Sequence, residues 1–163
     1  MKNIDIKEIE AFLYKEGRLL DEKKWDEWLD QYDESVDYWV PSWDIDGTLI
    51  TDPQKEVSLM YYPNREGLED RVFRINTNKS SACEIDTRTS HNINNVEIIS
   101  QEDDILIVEF NWITYSQRFN KTYTHFGRST YNISIAKDAP KITKKYVVLK
   151  NDFIQTATDI FHF

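Results

Sequence analysis

Three histidines, His91, His125 and His162, and a single cysteine, Cys83, are the side chains best suited to metal or nucleophile chemistry in this chain. A Rieske two-iron, two-sulfur cluster takes two cysteines and two histidines, so one cysteine excludes it. A mononuclear non-haem iron site takes two histidines and a carboxylate converging on one metal with open positions. No His-x-His or His-x-x-x-His pair supplies such ligands locally. With only four glycines, no phosphate-cradling loop of either common kind is present. No Gly-x-Ser-x-Gly elbow occurs, and Cys83 has no nucleophile signature around it. Acid–base chemistry by His, Asp and Tyr is what these residue types leave open.

Elements must position any such residues, and the first of them reads as helix. Ile6, Ile9, Leu13 and Leu20 recur at near-helical spacing, with Phe12 and Leu19 widening the stripe. Asp21 is placed to cap a second short helix, whose Trp25, Trp28, Leu29 and Tyr32 fall on one side while Asp26, Glu27 and Asp30 face water. Val36–Val40 predicts a strand ended by Pro41. Residues 42–54 have loop vocabulary, with Asp44, Asp46, Gly47, Asp52 and Pro53. Asn64 predicts the cap of a third helix over Arg65–Asn76, although Gly67 inside it costs about 1 kcal/mol against alanine.

From His91 the period changes to two. Leu106, Val108, Phe110 and Trp112 alternate with Ile105, Ile107, Glu109 and Asn111. Glu102–Asp103–Asp104 reads as a hairpin turn after a strand over Asn95–Ser100. Tyr123–Lys137 and Lys141–Asn151 read as two further long strands, parted by Asp138–Ala139–Pro140. Helices first and antiparallel strands afterwards predict an α+β fold with the helices on one face of the sheet. No repeat or linker interrupts residues 1–163, so one domain is expected.

The formal charge of −9 opposes binding to nucleic acid or an anionic membrane. Lone Cys83 permits no disulfide within the chain. No apolar run is long enough for a membrane span, and the polar start, Met1–Lys7, does not read as a signal peptide, so a cytoplasmic protein is expected. Asn78–Lys79–Ser80, Asn120–Lys121–Thr122 and Asn132–Ile133–Ser134 are then chance glycosylation patterns. Five Trp, nine Tyr and eight Phe supply large rings for a core or an interface.

Asp52–Arg74, with Tyr61–Tyr62–Pro63–Asn64–Arg65 at its centre, and Asp86–Ile93 resemble the signature of the small (β) subunits of aromatic-ring-hydroxylating dioxygenases, most closely the benzoate/anthranilate branch. Phe12–Leu13–Tyr14, Arg18–Asp21, Trp25–Leu29, Tyr38–Pro41 with Trp43, Val147–Phe153 and Asp159–Phe163 extend the resemblance over nearly the whole chain. Gln155–Thr156–Ala157 departs from it, where close relatives are more apolar or carry His.

The resemblance implies the cone-shaped fold of the NTF2-like (SnoaL-like) superfamily, with about three N-terminal helices on a long, curved, mainly antiparallel sheet. It also implies a cofactor-free subunit forming the stalk of an α3β3 hexamer. The partner α subunit would carry the Rieske cluster, the mononuclear Fe(II) and the substrate pocket, with electrons from NADH arriving through a separate reductase. Tyr61, Tyr62, Arg65, Arg71, Phe73 and Arg74, extended by Arg88 and His91, combine rings and guanidinium groups of the kind enriched at interface hot spots. Equally open is that the rings belong to the core of the third helix and Arg71 and Arg74 to a solvated face. The alternative set by the same cone is a stand-alone isomerase or dehydratase, or a ligand-binding module. There His91 would shuttle a proton, Asp37 would orient it and Tyr38 would donate to an oxyanion, with His125 a further candidate. Against that chemistry stands a structural His91 that hydrogen-bonds backbone near the sheet edge.

Overall fold

The computed structural model describes residues 4–77, 87–136 and 138–163. Cys83, Asp86 and the Asn78 sequon lie outside them. Asp5 caps the first helix, α1 (Ile6–Asp21), through the Lys7 N–H, and Ile9, Leu13 and Leu20 bury its apolar stripe as the spacing predicts. Each such side chain contributes about 1.5–3 kcal/mol when fully buried.

The second helix, α2, is only one turn and a half, Trp25–Leu29, and Asp21 does not cap it. Tyr32 is instead the first residue of β1 (Tyr32–Val40), which therefore starts four residues before Val36. Residues 41–59 then loop to the short β2 (Met60–Tyr62). Asn64 caps α3 (Arg65–Asn76) through the Glu66 N–H, with the expected bounds.

Four long strands complete the chain: β3 (Arg88–Glu102), β4 (Ile105–Arg118), β5 (Lys121–Ser134) and β6 (Lys141–Leu149), followed by a 3₁₀ turn at Ile160–His162. β3 is far longer than the expected Asn95–Ser100, and β5 and β6 end before Lys137 and Asn151. All four are joined in sequence as antiparallel hairpins within one sheet of order β2-β1-β6-β5-β4-β3. The sheet is mixed, because β1 pairs in parallel with β6. Register shifts at Asn94/Glu97, Ile98/Ser100 and Asn132/Ile133 bend the strands, and extra residues of this kind increase twist and curvature.

The helices lie on the concave face, α1 against β3 and α3 against β1. Leu106, Val108, Phe110, Trp112, Tyr131, Ile133, Val147 and Leu149 point into that face and build the core with Trp28, Tyr32, Leu68 and Ile160.

Candidate functional site

The concave interior holds three polar constellations, the first of which begins with two charged residues in phase with apolar stripes. Glu16 follows Ile9 and Leu13 on the buried side of α1. Lys145 shares the parity of Val147 and Leu149 on β6. Both are buried, and Glu16 Oε1 accepts from Lys145 Nζ at 3.0 Å, Trp28 Nε1 at 2.9 Å and Tyr32 Oη at 2.6 Å. Burial pushes the Glu16 carboxyl up, but the Lys145 charge and these donors outweigh it and hold it below the usual range. Burial draws the Lys145 ammonium down against the pull of Glu16. Three donors on one carboxylate oxygen decide for the charged pair. Lys145 also donates to the Phe163 backbone oxygen at 3.3 Å and lies near the rings of Tyr38 and Tyr131.

The second constellation ties α1 to the sheet edge. Asp21, the last residue of α1, sits where the helix dipole is negative and disfavours a carboxylate. Three donors from β3 compensate: Thr89 Oγ1 at 2.8 Å, the His91 backbone N–H at 3.0 Å and His91 Nδ1 at 2.6 Å. Burial raises the Asp21 carboxyl, yet the bond and charge of His91 bring it below its ordinary value. Gly17 makes the approach possible, since a Cβ there would stand 3.0 Å from His91 Cβ. His91 is thus bonded at the sheet edge through a carboxylate.

His91, Thr114 and His125 occupy directly paired positions across β3, β4 and β5. Among the described residues, His91 Nε2, Thr114 Oγ1, His125 Nδ1 and the neighbouring Ser116 Oγ are buried without a hydrogen-bond partner. His125 lies 4.8 Å, ring centre to ring centre, from His162. Next to them a crevice lined by Ser116, Tyr123, Thr156, Ala157 and His162 is too narrow for a water molecule.

The third constellation closes the interior. Arg71 on α3 donates from Nε and from a terminal nitrogen to the two Asp159 oxygens, both at 2.7 Å. Asp159 also accepts from Ile160 N–H, while its own N–H donates to His162 Nδ1 at 2.9 Å. That bond fixes the His162 tautomer with Nδ1 as acceptor. Burial, followed by repulsion from His125, pushes the His162 imidazole down to about 3, so it is neutral near pH 7. Burial likewise lowers His125.

Asp37 does not orient His91. Alternation along β1 turns Val36, Tyr38 and Val40 inward and Asp37 outward, where it faces Lys144 at 3.6 Å. Tyr38 is inside, packed on Tyr32, Tyr62 and Lys145, and burial holds its phenol well above the usual value. His91, Asp37 and Tyr38 therefore do not form the proton shuttle, orienter and oxyanion donor that a dehydratase would use. Glu16, Lys145 and Asp159 are polar residues of the interior that motif reading missed, and Asp21 serves there rather than as a cap.

Of the expected interface residues, Phe73, Arg74 and Arg88 are exposed, and Tyr61, Tyr62 and Arg65 are half-buried. Arg65 is engaged by Glu69 at 2.9 Å, and Arg71 and His91 are turned inward onto Asp159 and Asp21. Among the described residues no three His, Cys, Asp or Glu side chains are grouped to hold a metal. No helix among them is long and apolar enough to cross a membrane.

A curved six-stranded sheet with three helices packed on its concave face defines the cone-like α+β class. An NTF2-like protein with a cystatin-like fold from Novosphingobium aromaticivorans, 11% identical, shares that fold with a TM-score of 0.64 over 91% of this chain and 84% of that chain. Residues 15–156 match the model of the ring hydroxylating beta subunit family, to which the chain belongs. It is 49% identical to the benzoate 1,2-dioxygenase subunit beta of Acinetobacter baylyi over 99% of this chain and 96% of that protein. The crystal structure of the benzoate 1,2-dioxygenase beta subunit from Burkholderia mallei is 53% identical and superposes with a TM-score of 0.85, covering both chains fully.

Proposed function

We propose that this chain, as one domain over residues 1–163, is the non-catalytic structural subunit of a cytoplasmic α3β3 Rieske non-haem iron dioxygenase. That enzyme dihydroxylates an aromatic carboxylate of the benzoate or anthranilate type. The observation that carries the proposal is full-length similarity, at 49% identity, to a benzoate dioxygenase β subunit. The α partner supplies the Rieske cluster, the Fe(II) and the arene pocket, and a reductase delivers electrons from NADH.

The interior supports a structural role. Its charged residues are engaged with one another, as in Glu16–Lys145, Asp21–His91 and Arg71–Asp159, and each pair joins elements far apart in sequence. Phe73, Arg74 and Arg88 remain candidates for subunit contact because they are exposed and of hot-spot type.

Benzoate turnover per iron, in complexes assembled with Tyr38→Phe or His125→Gln chains, tests the non-catalytic role. Expected is the wild-type rate for every complex that assembles. A hundredfold loss with intact assembly and iron content, the size of effect general acid–base groups give, would mean that this chain takes part in the chemistry.

A further inference from the structure

The loop after β1 presents isolated apolar side chains on a braced frame. Trp43 and Leu49 form an antiparallel bridge, and the Asp44 N–H donates to Thr48 O at 2.7 Å while the Gly47 N–H donates to Asp44 O at 2.9 Å. Inside the turn, Asp44 Oδ1 accepts from the Ile45 N–H, and Asp46 Oδ1 accepts from the Thr48 N–H and hydroxyl. A turn with this many internal bonds is ordered, yet it holds Ile45 fully in solvent, 104% exposed.

The bracing also fixes where the turn sits. Trp43, itself half in solvent, donates from Nε1 to Leu149 O at 2.7 Å. Leu149 pairs with Gly127, and the Lys150 N–H donates to Phe126 O at 2.8 Å. Phe126 therefore emerges beside the turn, with Tyr115 beyond it on the neighbouring strand. Trp43, Ile45, Tyr115 and Phe126 are all exposed large apolar groups at one end of the sheet. Asp44 and Asp46 flank Ile45 and Asp152 follows on the adjoining segment; the cations nearby are Lys150 and, two residues along β5 from Phe126, Arg128, whose charge is taken up by Glu109.

We infer that the 43–49 turn with Phe126 is a docking knob for the larger oxygenase subunit, Ile45 entering an apolar socket rimmed by Lys or Arg. This rests on the proposed function above. Charge complementarity selects that occupant. A second copy carries the same formal charge of −9, so whichever face it offered, the acidic knob would meet a chain with an excess of like charge. The internal bonds of the turn supply preorganisation, which lowers the ordering cost of binding.

The test uses tagged wild-type, Ile45→Asp, Ile45→Lys and Phe126→Asp chains titrated with the purified large subunit and followed by native mass. Ile45 touches nothing that its replacement would disturb, so melting temperature and circular dichroism should match wild type. Expected is at least about tenfold weaker binding for Ile45→Asp, the loss of one hot-spot contact. Ile45→Lys should bind more weakly still, since it meets the basic rim. Wild-type affinity in the folded Ile45 variants overturns the knob, and Ile45→Lys binding better than Ile45→Asp overturns the basic socket. Lost self-association with large-subunit binding intact gives the patch to a second copy and also overturns it. Failure of the wild-type chain to bind sinks the proposed function, and the knob with it.

Discussion

Arg71 holds Asp159 through two parallel bonds of 2.7 Å, although 88 positions separate them. The pair fastens the buried 159–163 segment to α3, and Asp159 is wholly buried beneath the guanidinium. A buried carboxylate losing its cationic partner costs about 3–5 kcal/mol. Arg71→Ala should lose stability of that order in urea and speed hydrogen exchange at Ile160–Phe163 before the rest. Arg71→Lys should recover only part, because an ammonium cannot make the forked pair. Exchange unchanged in both variants would show that the clasp does not hold the segment.

Glu16 and Lys145 form a coupled pair, so a double-mutant cycle should be strongly non-additive. Lys145→Met leaves the carboxylate buried beside Trp28 and Tyr32 and should cost about 3–5 kcal/mol. Lys145→Met combined with Glu16→Gln should cost less than the two single changes summed, by about 1–3 kcal/mol. Additive unfolding energies would mean that the two charges do not sense each other.

Acid should weaken the chain before its carboxylates titrate. The folded His162 pKa of about 3 lies below its ordinary 6.5, so between those values the unfolded chain takes up a proton that the folded chain refuses. The stabilisation is full above about pH 6.5 and falls as pH drops, by about 1.4 kcal/mol per unit from this residue. His125, also lowered by burial, acts in the same direction. Urea unfolding at pH 7, 6 and 5 should show this slope and His162→Asn should reduce it; a flat profile in wild type would refute the assignment.

Gly67 lies inside α3, where alanine ordinarily gains about 1 kcal/mol. Here a Cβ would stand 2.5 Å from Tyr62 Cδ1 and 3.0 Å from Tyr62 Cβ. Gly67→Ala should therefore destabilise, by about 1–3 kcal/mol net, as overpacking does. Adding Tyr62→Ala should remove the penalty; a higher melting temperature for Gly67→Ala alone would show that the ring yields freely.

Much of this architecture is readable from local pattern. Asn64 and the stripe after it give α3 its observed bounds, and the period-two run from Leu106 gives β4 its inward face. The parity of β1 was equally readable: neighbours on a strand face opposite ways, so Asp37 and Tyr38 do not share a cavity. Glu16 and Lys145 also left a signal, each standing in phase with buried apolar residues. Asp21–His91 and Arg71–Asp159 left none, because their partners are 70 and 88 positions away and only the assembled sheet brings them together. The start of β1 at Tyr32 was hidden by helical spacing that continues through Trp28, and pairing with β6 decides it.

Native mass and iron content of the tagged chain, purified from its source cells, test the structural-subunit role most directly. The expected result is a complex holding this chain and a larger iron-containing partner in equal numbers, with all of the iron on the partner. An iron-free chain with no stoichiometric partner would contradict it.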